Sequence, residues 1–553
     1  MPKVIILFHK IPPAVLCLLG GLLFALGFPI GSTFYYIPLA PLLGFALLLT
    51  AIRPFENLKK HRAKFYIKNF LYCCCFSVAY SMVGASWFSH SLSNLLNRSL
   101  MDNIGLLLPF PIIHLPMIYC IPLIQWGIDL TLIRARHPNN PSSDFRYILW
   151  SVLFAFLLAI AEYFVPAIFP CFFGFSWMAF SFLMPLATFF GVHGFSFITF
   201  LLALAAHMPW RQAKALLLAI VTILFFGSFL PIRSSRNLQT SQTLNIRLVQ
   251  ANVGNGTGVR SDVGDVLTKK ELLQRLFALS SRQETGKIAD LIIWSEGVYP
   301  FSLNSDRLQS KQLFEDSFIK QYSSTVRTFH LLGVQDVAAT NRLPEEKYFN
   351  SAFYVSPEGF LDSYYHKIHL LALAEAPIIS YHPLAKWFNE YFHVSAGIGR
   401  GDRFVLFHHP KGFSFLPTIC LEIIQTQFIN SFYTSLPELP DFFVNLASDM
   451  RFGNSSEPYQ HFELQRWRAI EYQTPIVRVA NTGISGVIWE DGSTTSTTSI
   501  NEAVSITTSI PKVQRSRTFY AHYPILSLVL LALITLTLSL LFGRRAFRPS
   551  FGG

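Results

Sequence analysis

The chain has 553 residues, of which 51% are hydrophobic, 15% aromatic and only 14% charged, whereas a soluble globular protein carries roughly 25% charged residues. The formal net charge is +12, but residues 233–522 contain 27 Lys and Arg against 27 Asp and Glu, so the excess lies among the apolar segments. Lys and Arg placed in this way set membrane topology and do not indicate polyanion binding. The sequence also contains no RNA- or DNA-binding motif, so we exclude a nucleic-acid-binding protein.

Eight apolar runs approach or exceed the length that crosses a bilayer, about 17–25 helical residues. The first has no small-residue cleavage site and is followed at once by the second, which indicates a retained helix rather than a signal peptide. The runs are Pro12–Pro29, Tyr36–Ala51, Phe70–Phe88, Ile104–Ile133, Leu149–Ile168, Leu183–His207, Ala213–Leu230 and Leu526–Phe542. The sequence therefore predicts a seven-span membrane domain at residues 1–232 and an eighth span with a basic tail at residues 523–553.

Basic residues alternate between the loops that join these runs. One set of alternate loops carries Lys3, Lys10, Arg53, Lys59, Lys60, Arg62, Lys64, Lys68, Arg134, Arg136, Arg146, Arg211, Lys214, Arg544, Arg545 and Arg548. The other set carries only Arg98. The positive-inside rule then places both termini in the cytoplasm and Pro231–Tyr523 on the outer side. Glu162, within the fifth run, either pairs with another helix or faces a cavity.

The polar region, residues 240–515, alternates strand-like and helix-like segments, which predicts an α/β domain. Strands are predicted at Leu244–Val253, Ala289–Trp294, His330–Val337, Ser351–Val355, Phe413–Ile419, Asp441–Leu446 and Thr474–Ala480. Helices are predicted at Lys269–Ser280, Lys311–Thr328 and Tyr459–Tyr472. The sequence shows no Gly-rich phosphate loop and no metal-spaced His/Cys cluster, so we expect neither a cofactor nor a metal.

Cys420 is the only cysteine of the polar region, while the other six lie within or beside apolar runs. A lone thiol has no disulfide partner in its domain. It follows the apolar strand Phe413–Ile419 directly, so it is either a buried cysteine that behaves as a small hydrophobe or a nucleophile at a strand end.

Two other stretches supply what a nucleophilic thiol requires. The strand Leu291–Trp294 is followed by Glu296, and Lys367 stands in an aromatic setting with Glu375 shortly after it. A carboxylate at a dry strand end has a raised pKa and can accept the thiol proton. A lysine ammonium can stabilise the negative charge of a tetrahedral intermediate.

These residues resemble the Glu–Lys–Cys motifs of the nitrilase (carbon–nitrogen hydrolase) superfamily, and with the spans the chain resembles its membrane branch, the apolipoprotein N-acyltransferase family. The motifs are Trp294-Ser295-Glu296, Tyr365-His366-Lys367-Ile368-His369-Leu370 and Ile419-Cys420-Leu421-Glu422. Further matches are Val249-Gln250-Ala251-Asn252, Ser448-Asp449, Phe452-Gly453, His461-Phe462, Arg468-Ala469-Ile470-Glu471, Ala480-Asn481-Thr482-Gly483-Ile484-Ser485, Gly174-Phe175-Ser176-Trp177 and Gly191-Val192-His193-Gly194. The resemblance covers essentially the whole chain.

The resemblance implies an αββα sandwich for the polar domain and a role for each motif residue. Glu296 is then the general base, Lys367 stabilises the oxyanion and Cys420 is the acylated nucleophile. Glu375 and Glu422 are then supporting carboxylates. For Glu422 there is an equal alternative, a strand-end residue in a structural ion pair.

Four departures from the family pattern leave substrate contacts and loop details open. Leu421 replaces a tyrosine that often follows the cysteine, Ser295 replaces a common proline, and Arg451 stands where an aromatic residue is usual. Leu373-Ala374-Glu375 replaces a more usual Phe-Gly-Glu.

The family's reaction moves an acyl chain from a phospholipid to the α-amino group of an S-diacylglyceryl-cysteine at the N-terminus of an apolipoprotein. It runs through a cysteine thioester without metal or cofactor. The resemblance thus implies a phospholipid donor, a diacylated apolipoprotein acceptor, contact with membrane lipid, and an inner-membrane protein with a periplasmic catalytic domain.

Two other functions stay open on the sequence alone. One is a membrane-tethered, nitrilase-type amidase that transfers the acyl group to water, and the other is a non-catalytic membrane scaffold. Release of free fatty acid would indicate the first, and failure of acyl probes to label the protein would indicate the second.

Overall fold

The structure, a computed structural model, describes residues 11–52, 62–89, 91, 115–133, 143–236, 238, 240, 242–254, 263–282, 287–305, 322, 326–340, 343–371, 375–376 and 398–546. The chain divides into two compact units. One comprises residues 1–86, 104–232 and 518–553, and the other residues 87–103 and 233–517.

The first unit is helical, because long apolar segments satisfy their backbone polar groups within a helix. Its described helices are α1 (Pro13–Ala25), α2 (Ala40–Ile52), α3 (Arg62–Val83), α4 (Cys120–Ile133), α5 (Ser143–Phe164), α6 (Ala187–Ala205), α7 (Trp210–Gly227), and, after the second unit, a short helix at Phe519–His522 and a final helix at Pro524–Ala546.

Four helices of the described residues are long and apolar enough to cross a membrane: Arg146–Phe164, Ser181–Ala205, Trp210–Gly227 and Pro524–Gly543. They correspond to the predicted fifth, sixth, seventh and eighth runs. The helices α1 and α2 have 13 residues each, about 20 Å of rise against a hydrocarbon core of about 30 Å. Four spans fit a membrane domain, and the predicted number of eight is not confirmed.

Glu162 has a helix partner within this unit. Its Oε2 lies 3.0 Å from Nδ1 of His193 in α6, and its Oε1 accepts a hydrogen bond from the backbone N–H of Phe173 at 2.9 Å. The carboxylate therefore ties α5 to α6 and to the irregular segment between them. The backbone breaks inside α6 at Gly191, with φ +62° and ψ −173°, a conformation essentially restricted to glycine.

The second unit contains two mixed sheets. The strands are β1 (Thr243–Gln250), β2 (Leu291–Trp294), β3 (Ser302–Leu303), β4 (Phe329–Thr340), β5 (Leu343–Val355), β6 (Leu361–His366), β7 (Phe407–His409), β8 (Phe413–Ile419), β9 (Phe442–Ala447), β10 (Ile476–Ala480), β11 (Gly486–Ile488), β12 (Thr494–Thr495) and β13 (Val504–Pro511). One sheet has the order β13-β1-β2-β4-β5-β6 with β3 beside β4, and the other has the order β12-β11-β10-β9-β8-β7.

Helices accompany these sheets as α8 (Lys269–Ser281), α9 (Thr426–Ser435) and α10 (Glu457–Tyr472). The seven predicted strands overlap β1, β2, β4, β5, β8, β9 and β10, and α8 and α10 overlap two predicted helices. The third predicted helix, Lys311–Thr328, lies almost entirely outside the described residues.

One part of the core of this unit lies between the first sheet and α8, and another part lies between the two sheets. The ring of Tyr354 in β5 is 5.7 Å from that of Phe407 in β7 and 5.6 Å from that of Phe415 in β8. The strands β2, β8, β9 and β10 are buried along their whole length, which explains their nearly continuous apolar sequences. Such rigid central strands can hold side chains at their ends in fixed positions.

Candidate active site

Cys420 follows β8 directly, as the first residue of a 3-10 turn at Cys420–Ile424. Its φ is +54°, a left-handed conformation that costs a non-glycine residue about 1–3 kcal/mol. Asn445 of β9 supports the turn, since its Nδ2 donates hydrogen bonds to the carbonyl of Cys420 at 3.0 Å and to Oγ1 of Thr418 at 3.2 Å. Because the residue is only 6% exposed, the thiol is held in a largely dry position.

Lys367 follows β6, and its backbone is fixed on both sides. Its N–H donates to the carbonyl of Asn350 in β5, and its carbonyl accepts from the N–H of Gly401, each at 2.8 Å. The side chain is 2% exposed, and Nζ lies 2.8 Å from Oε2 of Glu375 and 3.5 Å from Oε1 of Glu296. One ammonium therefore faces two carboxylates in a buried site.

Asn350 connects the two carboxylates. Its Nδ2 donates to Oε1 of Glu296 at 2.6 Å and to Oε1 of Glu375 at 3.2 Å. Glu375 also accepts the backbone N–H of Leu371 at 2.8 Å. The amide thus keeps Glu296 oriented beside Lys367 although the two carboxylates repel each other.

Neighbouring charges fix the protonation states of Lys367 and Glu375. Burial alone would lower the pKa of Lys367, but Glu375 and then Glu296 raise it further than burial lowers it, so the net direction is upward. Burial raises the pKa of Glu375, but Lys367 and the hydrogen bond from Leu371 outweigh it and lower the pKa below its usual range. Lysine is therefore held as the ammonium and is unsuited to act as a base.

The thiol of Cys420 is held in its neutral form. Burial, followed by the charge of Glu296, raises the pKa of Cys420 well above its usual range, and Lys367 only partly offsets this. The resting cysteine is therefore a thiol, and its attack requires that a base remove the proton at that moment.

Glu422 makes different contacts. Its Oε1 accepts hydrogen bonds from the hydroxyl of Tyr365 at 2.9 Å and from the N–H groups of Ile368 and His369 at 2.8 and 2.9 Å, and its Oε2 accepts the N–H of Ile419 at 2.8 Å. Burial raises its pKa to about 7, against the lowering effect of the three backbone N–H groups and of the Lys367 charge. Glu422 therefore joins the segment after β6 to the end of β8, the two segments that carry Lys367 and Cys420.

The structure brings four of the five predicted residues together at one site, as three charged side chains and a neutral thiol. Glu296, Lys367 and Glu375 are linked by contacts, and Cys420 interacts electrostatically with all three. Asn350 was missed, and its signal in the sequence was an amide immediately before the apolar strand predicted at Ser351–Val355. A thiol, a carboxylate and an ammonium that cannot deprotonate form an arrangement suited to acyl transfer through a covalent intermediate.

Comparison with known proteins finds one family and a group of relatives. The sequence profile of the carbon-nitrogen hydrolase family matches residues 245–518. The chain is 27% identical to an apolipoprotein N-acyltransferase of Rickettsia prowazekii over 64% of this chain and 68% of that protein. It is 28% identical to one of Bradyrhizobium diazoefficiens over 61% and 64%, and 24% identical to one of Rickettsia bellii over 94% and 95%.

Among solved structures the chain is similar to Nit3 of Saccharomyces cerevisiae, a nitrilase superfamily member, with 16% identity, a TM-score of 0.34, and coverage of 49% of this chain and 91% of that one. A carbon-nitrogen hydrolase superfamily protein of Xanthomonas campestris gives 20% identity and a TM-score of 0.32 over 49% and 91%.

Proposed function

The chain belongs to the apolipoprotein N-acyltransferases, the membrane branch of the nitrilase superfamily, and on this premise we propose that it transfers a fatty acyl chain from a membrane phospholipid to the α-amino group of an S-diacylglyceryl-cysteine at an apolipoprotein N-terminus. Cys420 carries the acyl chain as a thioester between two half-reactions. The observation that carries this proposal is the charged group of Glu296, Lys367 and Glu375 around the buried thiol of Cys420.

In the first half-reaction Glu296 accepts the proton of the Cys420 thiol while Sγ attacks the ester carbonyl of the phospholipid. The Lys367 ammonium stabilises the oxyanion of the tetrahedral intermediate. When this intermediate collapses, the C–O bond breaks and Glu296 returns the proton to the departing lysophospholipid hydroxyl. Glu375 keeps Lys367 charged and in place throughout.

In the second half-reaction the free amine of the acceptor attacks the thioester carbonyl. Glu296 accepts a proton from the amine, the C–S bond breaks, and Glu296 gives that proton to the departing Cys420 thiolate. The products are the N-acylated lipoprotein and free enzyme, so neither step needs a cofactor. Burial of Cys420 and Lys367 supports transfer over hydrolysis, because water reaches a dry thioester poorly.

The protein's proposed location is the bacterial inner membrane, with residues 233–517 on the periplasmic side and both termini in the cytoplasm. The distribution of Lys and Arg among the loops supports this orientation. A catalytic domain on that side meets the outer leaflet, from which a phospholipid donor is drawn.

The test separates transfer from its alternatives. The full-length protein in detergent is incubated with phospholipid, and intact-mass spectrometry is expected to show a single acyl adduct that disappears in Cys420→Ala. A diacylated lipopeptide is then added, and the acyl chain is expected on its amine. Release of free fatty acid without transfer would instead indicate an amidase or lipase, and no adduct at all would indicate a scaffold.

A further inference from the structure

A second buried polar cluster lies outside the catalytic group, where β9, β10 and the start of α10 meet. It consists of Asp449 after β9, Glu457 and His461 in the first turns of α10, and Arg478 in β10. All four side chains are fully buried. Glu457 and His461 are four residues apart and therefore lie on the same face of the helix.

The cluster contains two carboxylates but only one guanidinium. Nη2 of Arg478 donates to Oδ2 of Asp449 at 2.7 Å, while Nη1 donates to Oδ1 of Asn445 at 2.9 Å and Nε to the carbonyl of Ile484 at 3.0 Å. These bonds direct the guanidinium to Asp449 and leave the Glu457 carboxylate without a paired charge. Since an unpaired buried charge is costly, the cluster requires one more positive charge, either a proton or a cation.

The geometry distinguishes between these two. Nδ1 of His461 lies 3.4 Å from Oε1 of Glu457 and 3.7 Å from Oδ1 of Asp449, and ligand atoms of all three residues lie within 4.8 Å of one another. Among the described residues, Oδ1 of Asp449 and both carboxylate oxygens of Glu457 make no hydrogen bond of normal geometry, although His461 interacts electrostatically with both carboxylates. A shared proton would draw a pair to about 2.7–3.2 Å, whereas ligands about 2.1 Å from a tetrahedral ion lie about 3.4 Å apart.

We propose that Asp449, Glu457 and His461 bind a divalent transition-metal cation, with one oxygen from each carboxylate and Nδ1 of the histidine as ligands. Two oxygens and one imidazole nitrogen suit Zn²⁺ or Mn²⁺. Asp449 can serve both neighbours, because Oδ2 keeps its bond to Arg478 while Oδ1 faces the ion. Such a hydrogen bond to a ligating carboxylate is the usual way in which a protein orients a ligand.

Arg478 also restricts which ligands the proposed metal site can hold. Its Nη2 lies 3.4 Å from Nδ1 of His461, so its positive charge opposes the ion and favours an anionic fourth ligand such as hydroxide. No metal was predicted from the sequence, because it contains no His/Cys spacing that indicates one. The three ligands come from separate elements, and only the spacing of Glu457 and His461 on one helix is visible in the sequence.

The test uses the full-length protein, purified in detergent without chelator. Elemental analysis is expected to find stoichiometric zinc or manganese in the wild type. Removal of the metal with a chelator is expected to lower the Tm, and addition of ZnCl₂ or MnCl₂ to restore it. This comparison of one protein with and without metal does not depend on any variant folding.

Glu457→Gln is the decisive variant, because within the described part of the chain this side chain makes no hydrogen bond of normal geometry that the substitution would break. We expect it to lose both the metal and the rise in Tm on metal addition. Glu463→Gln is the matched control. Glu463 is buried in the same helix, but it pairs with Arg466 at 2.7 Å outside the cluster, so this variant is expected to keep the metal.

Two outcomes would overturn the proposal. One is a wild-type protein without metal whose Tm rises no more on metal addition than that of Glu457→Gln. The other is metal bound equally by Glu457→Gln, which would place the ion elsewhere. A rise in the Tm of metal-free Glu457→Gln above that of metal-free wild type, without any metal response in the wild type, would show that a proton balances the cluster.

Discussion

Replacing Asn350 with alanine tests whether one amide orients the proposed general base. The bond from Nδ2 to Glu296 is short, at 2.6 Å, whereas the bond to Glu375 is 3.2 Å, longer than the 2.7–2.9 Å usual for charge-assisted bonds, so most of the effect falls on Glu296. A hydrogen bond to a charged group contributes about 1.5–3 kcal/mol. If all of it acts in the transition state, the first half-reaction slows by about 10- to 150-fold.

The assay is single-turnover formation of the acyl-enzyme from phospholipid, followed by intact-mass spectrometry. Ser351→Ala is the matched control, because Ser351 is the next residue of β5 and its hydroxyl donates a hydrogen bond to the backbone carbonyl of Phe349 at 3.3 Å. Asn350→Asp is expected to be more damaging than Asn350→Ala, since it adds a third carboxylate beside a single ammonium. Acylation of Asn350→Ala within a factor of about three of the control would show that Asn350 does not orient Glu296, because the bond to Glu296 would then contribute less than 1 kcal/mol.

Other perturbations test the remaining groups. Cys420→Ala is expected to abolish both half-reactions and Cys420→Ser to be nearly as inactive, because a hydroxyl is harder to deprotonate than a thiol; transfer to a lipopeptide by either variant at a substantial rate would contradict a thioester. Lys367→Met is expected to slow thioester formation about 10²–10³-fold and, by leaving buried carboxylates unpaired, to lower the free energy of unfolding by about 3–5 kcal/mol; wild-type thermal stability would argue against the ion pairs. Burial raises the pKa of Glu422 from 4.5 in the unfolded chain to about 7 in the folded one. Protonation of Glu422 therefore stabilises the fold fully at a pH below 4.5, and this stabilisation is lost as the pH rises through about 7. Glu422→Gln should therefore remove a decline of about 3 kcal/mol in the free energy of unfolding over that pH window, and denaturant titrations at several pH values that match wild type would exclude this role. Thr497→Cys, at an exposed position of the second unit, should react with an impermeant maleimide in intact spheroplasts, and labelling only after permeabilisation would reverse the proposed orientation.

The sequence determined the chemical types of the site and the elements that carry them. Glu296 and Cys420 each follow a short apolar strand that the structure contains as β2 and β8. These two strands could be predicted from the local sequence, because a fully buried strand has a nearly continuous apolar sequence and its end is marked by the first polar or reactive side chain. The strand before Lys367, β6, was not predicted, since its adjacent polar residues Asp362 and Ser363 interrupt any apolar run.

Tertiary structure decided what each carboxylate does. Glu375 and Glu422 looked alike in the sequence, yet Glu375 contacts the Lys367 ammonium while Glu422 accepts backbone N–H groups from the segments that carry Lys367 and Cys420. The position of Asn350 between Glu296 and Glu375 depends on the antiparallel pairing of β5 with β6, in which Ser351 lies opposite His366. Apolar patterns report how a segment is buried, because burial follows from its own side chains. The pairing of strands distant in the sequence depends instead on the packing of the whole domain, and only that packing brings these polar atoms within hydrogen-bond distance.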